Sequence, residues 1–130
     1  MRIERRNHHP VVLCVDDERE TLSALRRCLR NEPLEVITAQ SAAEALGWFE
    51  ELPIALVVTD QRMPGGSGAD LLRQVRDRSP KTARAILTAY PGPSLMKEGL
   101  DAGAERLLYK PWRDEALIEA VRYLLANRSE

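Results

Sequence analysis

The fold is decided by the stretch IALVVTDQRMPGG, residues 54–66. Its first six residues form an apolar run, and the run ends at Asp60. The residues after Asp60 are rich in Pro and Gly, which favour a turn and leave room beside the carboxylate. This stretch predicts a central strand that carries one acidic side chain at its carboxyl end.

Three other apolar runs also end at polar residues. Val11–Val15 leads into Asp16 and Asp17, Ala83–Leu87 into Thr88, and Glu105–Tyr109 into Lys110. If the runs are parallel strands, all these side chains lie at the sheet edge where open α/β folds place their sites. We therefore expect three carboxylates, a hydroxyl and an ammonium group to face one small volume.

Amphipathic stretches with apolar residues at helical spacing separate the runs. The remaining strand is predicted at Leu34–Thr38. Ser41 and Glu44 have the spacing of a capping box at the start of the second helix, and Gly103 is expected to end a fourth helix at Ser94–Ala102. This alternation, repeated five times, predicts a doubly wound α/β fold with a five-stranded parallel sheet and five helices.

Length and composition favour one cytoplasmic domain. The chain has 130 residues and a net charge of −1, which argues against bulk attraction to nucleic acid or to an anionic membrane. Its apolar runs are too short to span a membrane. We expect a polar N-terminal arm at residues 1–9, the domain at 10–127 and a C-terminal tail at 128–130.

Cysteine and histidine give no sign of a redox or metal centre. Cys14 lies in the first apolar run and Cys28 on the apolar stripe of the first helix, so both are expected to be reduced core residues. His8 and His9 lie in the polar arm without further ligands at metal-binding spacing.

The three carboxylates predict a Mg²⁺ site. Asp16, Asp17 and Asp60 would repel one another without a cation, and hard oxygen ligands suit Mg²⁺. Such a site gains ligands from phosphate, so the expected substrate is a phosphoryl group. Asp60 is the best candidate nucleophile and would form an acyl phosphate, while Lys110 would neutralise the transferred oxygens.

Each signal also has a simpler explanation. Thr88 fits a turn residue, Lys110-Pro111 a surface turn, and Asp16-Asp17 a helix cap. Their common order at four successive strand ends favours a shared site, in which Thr88 would offer a hydroxyl donor to a phosphoryl oxygen.

Residues 10–127, with these motifs, resemble the receiver domains of bacterial response regulators in two-component signalling. The resemblance implies a flavodoxin-like receiver topology and a signalling domain rather than an enzyme. It implies that Asp60 accepts phosphate from a phosphohistidine on a sensor histidine kinase or phosphotransfer protein. It further implies that Asp17 binds Mg²⁺ directly and Asp16 through water, that the Arg62 backbone carbonyl is another ligand, and that Thr88 is the switch hydroxyl.

The resemblance also implies that Lys110 binds the phosphoryl group and that the Lys110-Pro111 bond is cis. One position departs from the family, which usually has Tyr or Phe three residues before the lysine, where this chain has Leu107. Tyr109 lies on the same strand face. We expect a weaker or differently packed coupling from Thr88 to the surface formed by the fourth and fifth helices and the last strand.

Further positions bear on regulation and partners. Arg62 and Tyr90 occupy positions that control water access in this family, and their size predicts a long-lived acyl phosphate. The DQRMPG and KPW strings, which begin at Asp60 and Lys110, look like receivers joined to HD-GYP cyclic-di-GMP phosphodiesterases or hydrogenase-type transcription regulators. The tail at 128–130 would then begin a linker to an output domain.

The predicted protein contacts involve three helices. The exposed side of the first helix is expected to contact the kinase, through residues such as Arg19, Glu20, Ser23 and Arg27. Mixed charges on the fourth and fifth helices suit either a homodimer face or a solvated surface. They are Lys97, Glu98, Asp101, Glu119 and Arg122.

Three alternatives remain open. A receiver retained only as a scaffold or for dimerisation would usually lack one of the acidic residues, the threonine or the lysine. A phosphatase of the haloacid dehalogenase kind would have Asp-x-Asp on its first strand, where this chain has Asp-Asp-Glu. A flavodoxin-like cofactor protein would need a phosphate loop after that strand, where Asp16 and Asp17 would repel a flavin phosphate.

Overall fold

The computed structural model describes residues 9–89 and 92–127, which form seven strands and five helices. The strands are β1 (Val11–Val15), β2 (Glu35–Ala39), β3 (Leu56–Thr59), β4 (Arg62–Met63), β5 (Gly66–Ser67), β6 (Ala83–Thr88) and β7 (Arg106–Tyr109). The helices are α1 (Arg19–Leu29), α2 (Ala42–Glu51), α3 (Gly68–Arg78), α4 (Pro93–Asp101) and α5 (Asp114–Ala126).

Five of the strands form one parallel sheet in the order β2-β1-β3-β6-β7. The chain runs from β1 outwards to β2 and then returns across β1 to β3. The direction of winding therefore reverses between β1 and β3, which is where ligands bind in open α/β sheets. The predicted doubly wound fold with five parallel strands and five helices is confirmed.

Two apolar layers cover the two faces of the sheet, because successive strand side chains point to opposite faces. On β1, Val11, Leu13 and Val15 pack with the layer that includes α2 and α3. Val12 and Cys14 pack with the layer that includes α1 and α5. Each β1 side chain is at most 1% exposed, as expected for a parallel strand covered on both faces.

The element bounds differ slightly from those predicted. Leu34 belongs to the preceding turn, where its N–H donates to the Glu32 carbonyl, and pairing extends to Ala39, whose carbonyl accepts from the Asp16 N–H. The helix α4 spans Pro93–Asp101 and so begins and ends one residue earlier than predicted, since proline suits the first helical turn and Ala102 is the C-cap. Gly103 follows α4 with φ +95°, in the left-handed conformation that glycine adopts readily.

The predicted cap of α2 is confirmed, with the difference that Glu44 accepts from Gln40, one residue before the N-cap Ser41 that a strict capping box uses. The Ser41 hydroxyl accepts from the Glu44 N–H at 3.1 Å. The Glu44 carboxylate in turn accepts from the backbone N–H of Gln40 at 2.9 Å. These two bonds satisfy backbone donors that have no partner within the helix.

Side chains also cover the outer edge of β2. The carbonyls of Val36 and Thr38 face away from β1, because the Ala39 carbonyl bonds to β1 and carbonyl direction alternates along a strand. Arg26 Nη1 donates to the Val36 carbonyl, and Trp48 Nε1 donates to the Thr38 carbonyl, each at 3.2 Å. Two helices thus satisfy polar groups that would otherwise face solvent.

The cysteines are free, but only one is a core residue. Cys14 is fully buried in β1. Cys28 is half-buried, with Sγ 3.8 Å from the Asp114 carbonyl oxygen, and packs against the layer that includes α1 and α5, so it lies at the rim of the core rather than within it as predicted. His9 is exposed, and His8 lies outside the described residues. Among the residues that the structure describes, no helix has the length and apolar character that crossing a membrane requires.

Candidate functional site

The three carboxylates meet at the carboxyl ends of β1 and β3. The two strands pair with Val15 opposite Thr59, and the Asp60 N–H donates to the Val15 carbonyl at 2.9 Å. This register places Asp16 beside Asp60. One carboxylate oxygen from each of Asp16, Asp17 and Asp60 lies within 4.8 Å of the other two.

Burial and backbone bonds orient two of these carboxylates. Asp16 is 2% exposed and Asp60 is 9% exposed, whereas Asp17 is open to solvent. Asp16 Oδ1 accepts from the Glu18 N–H at 2.9 Å, and Asp60 Oδ1 accepts from the Gln61 N–H at 2.7 Å. The second oxygen of each side chain faces the ammonium group of a lysine.

That lysine is Lys110, which directly follows β7. Its N–H donates to the Thr88 carbonyl at 2.9 Å, and the Lys110-Pro111 peptide bond is cis, as the resemblance implied. Lys110 Nζ lies 2.7 Å from Asp16 Oδ2 and 3.1 Å from Asp60 Oδ2. The site therefore brings together the ends of β1, β3 and β7.

The pKa values of Asp16 and Lys110 reflect this burial and pairing. Burial raises the pKa of the Asp16 carboxyl, and this outweighs the lowering by its bonds to Lys110 and to the Glu18 N–H. Burial alone would lower the pKa of the Lys110 ammonium, but its bonds to Asp16 and Asp60 together raise it. Lys110 is therefore charged at neutral pH.

The donor set fits a divalent metal ion. When ionised, the three carboxylates carry two more negative charges than the single ammonium group can offset. All three offer hard oxygen ligands, which is the chemistry that Mg²⁺ prefers. A divalent cation would thus balance the charge of this cluster.

The other predicted site residues lie near these strand ends. Thr88 is the last residue of β6, is 2% exposed and lies in register opposite Tyr109. Arg62 is exposed and pairs with Ser67 in a small antiparallel hairpin of β4 and β5. Tyr90 lies outside the described residues.

The structure has a short hairpin after Asp60, where the sequence predicts a simple turn. Gly65 has φ +85° and provides the reversal between β4 and β5. Strands of two residues are too short to show an alternating pattern, which is why the sequence did not indicate them. The hairpin lines an open groove of about 690 Å³ with the first turns of α4.

The family model for the response regulator receiver domain matches residues 12–122. This chain belongs to that family. The receiver is thus the signalling domain of a two-component response regulator, in a family in which phosphorylation on Asp is typical and histidine kinases supply the phosphoryl group.

The relatives differ in what they carry beyond the receiver. Hydrogenase transcriptional regulatory protein HoxA of Cupriavidus necator is 38% identical over 112 residues, which cover 85% of this chain and 23% of HoxA. A cyclic di-GMP phosphodiesterase of Thermotoga maritima is 30% identical over 117 residues, which cover 90% of this chain and 31% of that protein. The receiver thus spans about a quarter to a third of these relatives.

Solved receivers have the same fold. The signal receiver domain of an HD domain-containing protein from Pseudomonas fluorescens Pf-5 has a TM-score of 0.88 and 28% identity, with 97% of this chain and 93% of that chain covered. The chemotaxis protein CheY4 of Vibrio cholerae has a TM-score of 0.85 and 28% identity, with 91% of this chain and 100% of that chain covered.

Sequence reasoning missed Gln61 as a member of this receiver's site. Gln61 is 7% exposed, with Oε1 accepting from the Ala69 N–H at 2.8 Å and Nε2 donating to Glu98. Its carbonyl accepts from the Gly68 N–H at 2.9 Å. A single Gln inside a motif has no periodicity to reveal it, and Glu98 is 37 residues further along the chain.

Leu107 lies where the resemblance implied an aromatic switch residue. It packs against the apolar layer that includes α2 and α3, and a Cβ added to Gly99 of α4 would lie 3.1 Å from Leu107 Cδ2. Tyr109, two residues on, is 42% exposed. The receiver therefore places an aliphatic side chain beneath α4.

Proposed function

We propose that Asp60 is the phosphoacceptor of this receiver. The convergence of Asp16, Asp17, Asp60 and Lys110 at the reversal point between β1 and β3 carries the proposal. In the reaction, an Asp60 carboxylate oxygen attacks phosphorus, the P–N bond of the phosphohistidine breaks, and the imidazole leaves with the electron pair. The product is an acyl phosphate on Asp60.

The surrounding side chains have separate roles in this proposal. Lys110 binds a phosphoryl oxygen, since its ammonium group already contacts Asp60. The residues that would hold Mg²⁺ are Asp16, Asp17, Asp60 and Arg62, the last through its backbone carbonyl. Bound Mg²⁺ would offset the negative charge of the carboxylates and of the phosphoryl oxygens. Thr88 donates its hydroxyl to a phosphoryl oxygen.

The proposed donor is a sensor histidine kinase or a phosphotransfer protein in the cytoplasm. It contacts the outer side of α1, where Arg19, Glu20, Ser23 and Arg27 are all exposed. These residues offer both charge signs and a hydroxyl group, so polar contacts would set the choice of partner.

The proposed output is transcription regulation or cyclic di-GMP hydrolysis in an attached domain, by analogy with HoxA and the Thermotoga maritima protein. Homodimer formation through α4 and α5 also stays a prediction. Of the charges on these helices, Arg122 pairs with Glu32 and Lys97 pairs with Asp101 within one chain. A dimer through these residues would have to share or replace those pairs.

The test is intact-protein mass spectrometry after incubation with acetyl phosphate and Mg²⁺. We expect one added phosphoryl group on the wild type, none on Asp60→Asn, and none with a chelator. Asp77→Asn is a matched control, because Asp77 is an exposed carboxylate on α3.

Two results would contradict the proposal. An adduct on Asp60→Asn at the wild-type level would place the phosphoryl group elsewhere. A wild type that accepts no phosphoryl group from acetyl phosphate or from any histidine kinase would instead favour a scaffold receiver.

A further inference from the structure

Gln61 links the carboxylate of Asp60 to two helices. Its backbone N–H donates to Asp60 Oδ1 at 2.7 Å. Its side-chain oxygen accepts from the Ala69 N–H in the first turn of α3, and its side-chain nitrogen donates to Glu98 Oε1 on α4. One nearly buried residue therefore contacts the end of β3, the start of α3 and the middle of α4.

The bonds to α3 leave Gln61 little freedom to respond to Asp60 on its own. Gly68 donates to its carbonyl and Ala69 to its side-chain oxygen, at 2.9 and 2.8 Å. A Cβ added to Gly68 would lie 2.2 Å from the Asp60 carbonyl oxygen, so the segment between them is tightly packed. Gln61 and the first turn of α3 are therefore held together, so a shift of this segment carries the Gln61 side-chain nitrogen with it.

The helix at the other end of this link is weakly anchored. The only buried residue of α4 is Gly99, whereas α3 buries five of its residues. Met96 and Leu100 of α4 are 41% and 58% exposed. A helix with so little buried surface depends more on single polar bonds such as that between Gln61 and Glu98.

Phosphorylation would change the bond at the Asp60 end. The N–H of Gln61 now donates to an ionised carboxylate, which is a stronger acceptor than the carbonyl oxygen of an acyl phosphate. Transfer of a phosphoryl group therefore weakens or redirects this bond, and Gln61 shifts together with the first turn of α3 to which it is bonded.

We propose that Gln61 is a positioning residue that couples phosphorylation of Asp60 to the placement of α4 through its bond to Glu98. The coupling rests on the proposed function, since it requires a phosphoryl group on Asp60. It offers this receiver a connection to α4 that does not pass through an aromatic side chain at position 107.

The test is hydrogen–deuterium exchange of residues 93–101, measured with and without acetyl phosphate and Mg²⁺, with intact mass recorded on the same samples. Glu98→Ala removes the acceptor, and Glu98→Gln keeps an acceptor oxygen while removing the charge. Asp101→Ala is the matched control, because it removes an exposed carboxylate of α4 that pairs with Lys97 rather than with Gln61.

We expect phosphorylation to change the exchange of α4 in the wild type, in Glu98→Gln and in Asp101→Ala. In Glu98→Ala the change should fall by roughly twofold or more, although Asp60 is still phosphorylated. A change of wild-type size in phosphorylated Glu98→Ala would overturn the coupling and leave the proposed function intact. A wild type without any phosphoryl adduct would overturn both.

Discussion

Lys110 and Asp16 are separated by 94 residues in the chain, yet Lys110 Nζ lies 2.7 Å from Asp16 Oδ2. This pair joins the end of an edge strand, β7, to the end of β1 near the middle of the sheet. Their side chains are only 14% and 3% exposed, so solvent screens the interaction weakly. The pair is therefore expected to stabilise the fold, in addition to the proposed role of Lys110 in phosphoryl binding.

Replacing Lys110 by Ala should destabilise the receiver in the absence of Mg²⁺. The change leaves the buried carboxylates of Asp16 and Asp60 without their shared cation, and we expect a loss of about 2–4 kcal/mol in the free energy of unfolding. Urea unfolding at neutral pH measures this loss, and added Mg²⁺ should recover part of it. Lys97→Ala is the control, because its exposed pair with Asp101 should contribute under ~0.5 kcal/mol. Equal losses in the two variants would count against a special role for Lys110.

Replacing Gly68 by Ala should disturb Asp60, the proposed phosphoacceptor. The added Cβ would lie 2.2 Å from the Asp60 carbonyl oxygen, and backbone atoms must move to relieve the overlap. We expect a loss of about 2–4 kcal/mol in stability and slower phosphorylation by acetyl phosphate. Gly47→Ala is the matched control, since Gly47 lies in α2 with no atom within 4 Å of an added Cβ. That change should stabilise the protein by roughly 0.5–1 kcal/mol.

The strands and their polar ends were predictable from the sequence for a physical reason. A strand buried on both faces must be apolar throughout, so runs such as Val11–Val15 stand out, and the polar residue after each run marks the sheet edge. The family, the fold and the receiver function are confirmed. The proximity of Asp16, Asp17 and Asp60 followed from parallel strand ends alone.

Other parts of the site depend on contacts that the sequence does not encode locally. The bond between Gln61 and Glu98 joins a loop to the middle of a helix, and neither residue breaks a pattern. Which carboxylates share the lysine depends on the position of β7 at the far side of β6. The individual roles of Asp60, Thr88 and Lys110 stay predictions until phosphorylation is measured.

Both cysteines should react slowly with thiol reagents in the folded receiver. Burial raises the pKa of Cys14 to about 12, and burial together with Asp114 raises that of Cys28 to about 11. The thiolate is the nucleophile, and with a pKa of about 11 only about one Cys28 side chain in a thousand is ionised at pH 8. Titration with a chromogenic disulfide should release its coloured thiolate slowly in buffer. In denaturant, two equivalents should be released rapidly, one for each free cysteine. Rapid reaction of either thiol in the native protein would contradict the raised pKa of that thiol.

The pair of Glu32 and Arg122 should make stability depend on pH. Its bidentate bonds, at 2.6 and 2.9 Å, lower the pKa of Glu32 below its usual value of 4.5. A carboxyl group whose pKa is lower in the folded than in the unfolded protein stabilises the fold at pH values above its unfolded pKa. This contribution is lost as the pH falls through its folded pKa. Glu32→Gln should therefore be less stable than the wild type at pH 7, and the difference should shrink below about pH 4.5.

Thermal unfolding at several pH values measures this difference. Glu119→Gln serves as the control, because it removes an exposed carboxylate from the same helix as Arg122. If the difference in unfolding temperature between the wild type and Glu32→Gln stayed constant from pH 7 to pH 3, charge pairing would not be its cause.

The cover over β2 has a consequence for how copies of this receiver meet. An uncovered edge strand presents a row of free backbone groups on which another chain can add a strand, and such addition can propagate into aggregates. Arg26 and Trp48 already occupy the outward carbonyls of Val36 and Thr38. Addition of a strand from a neighbouring copy at this edge would first have to break both bonds, so this cover disfavours edge-to-edge association through β2.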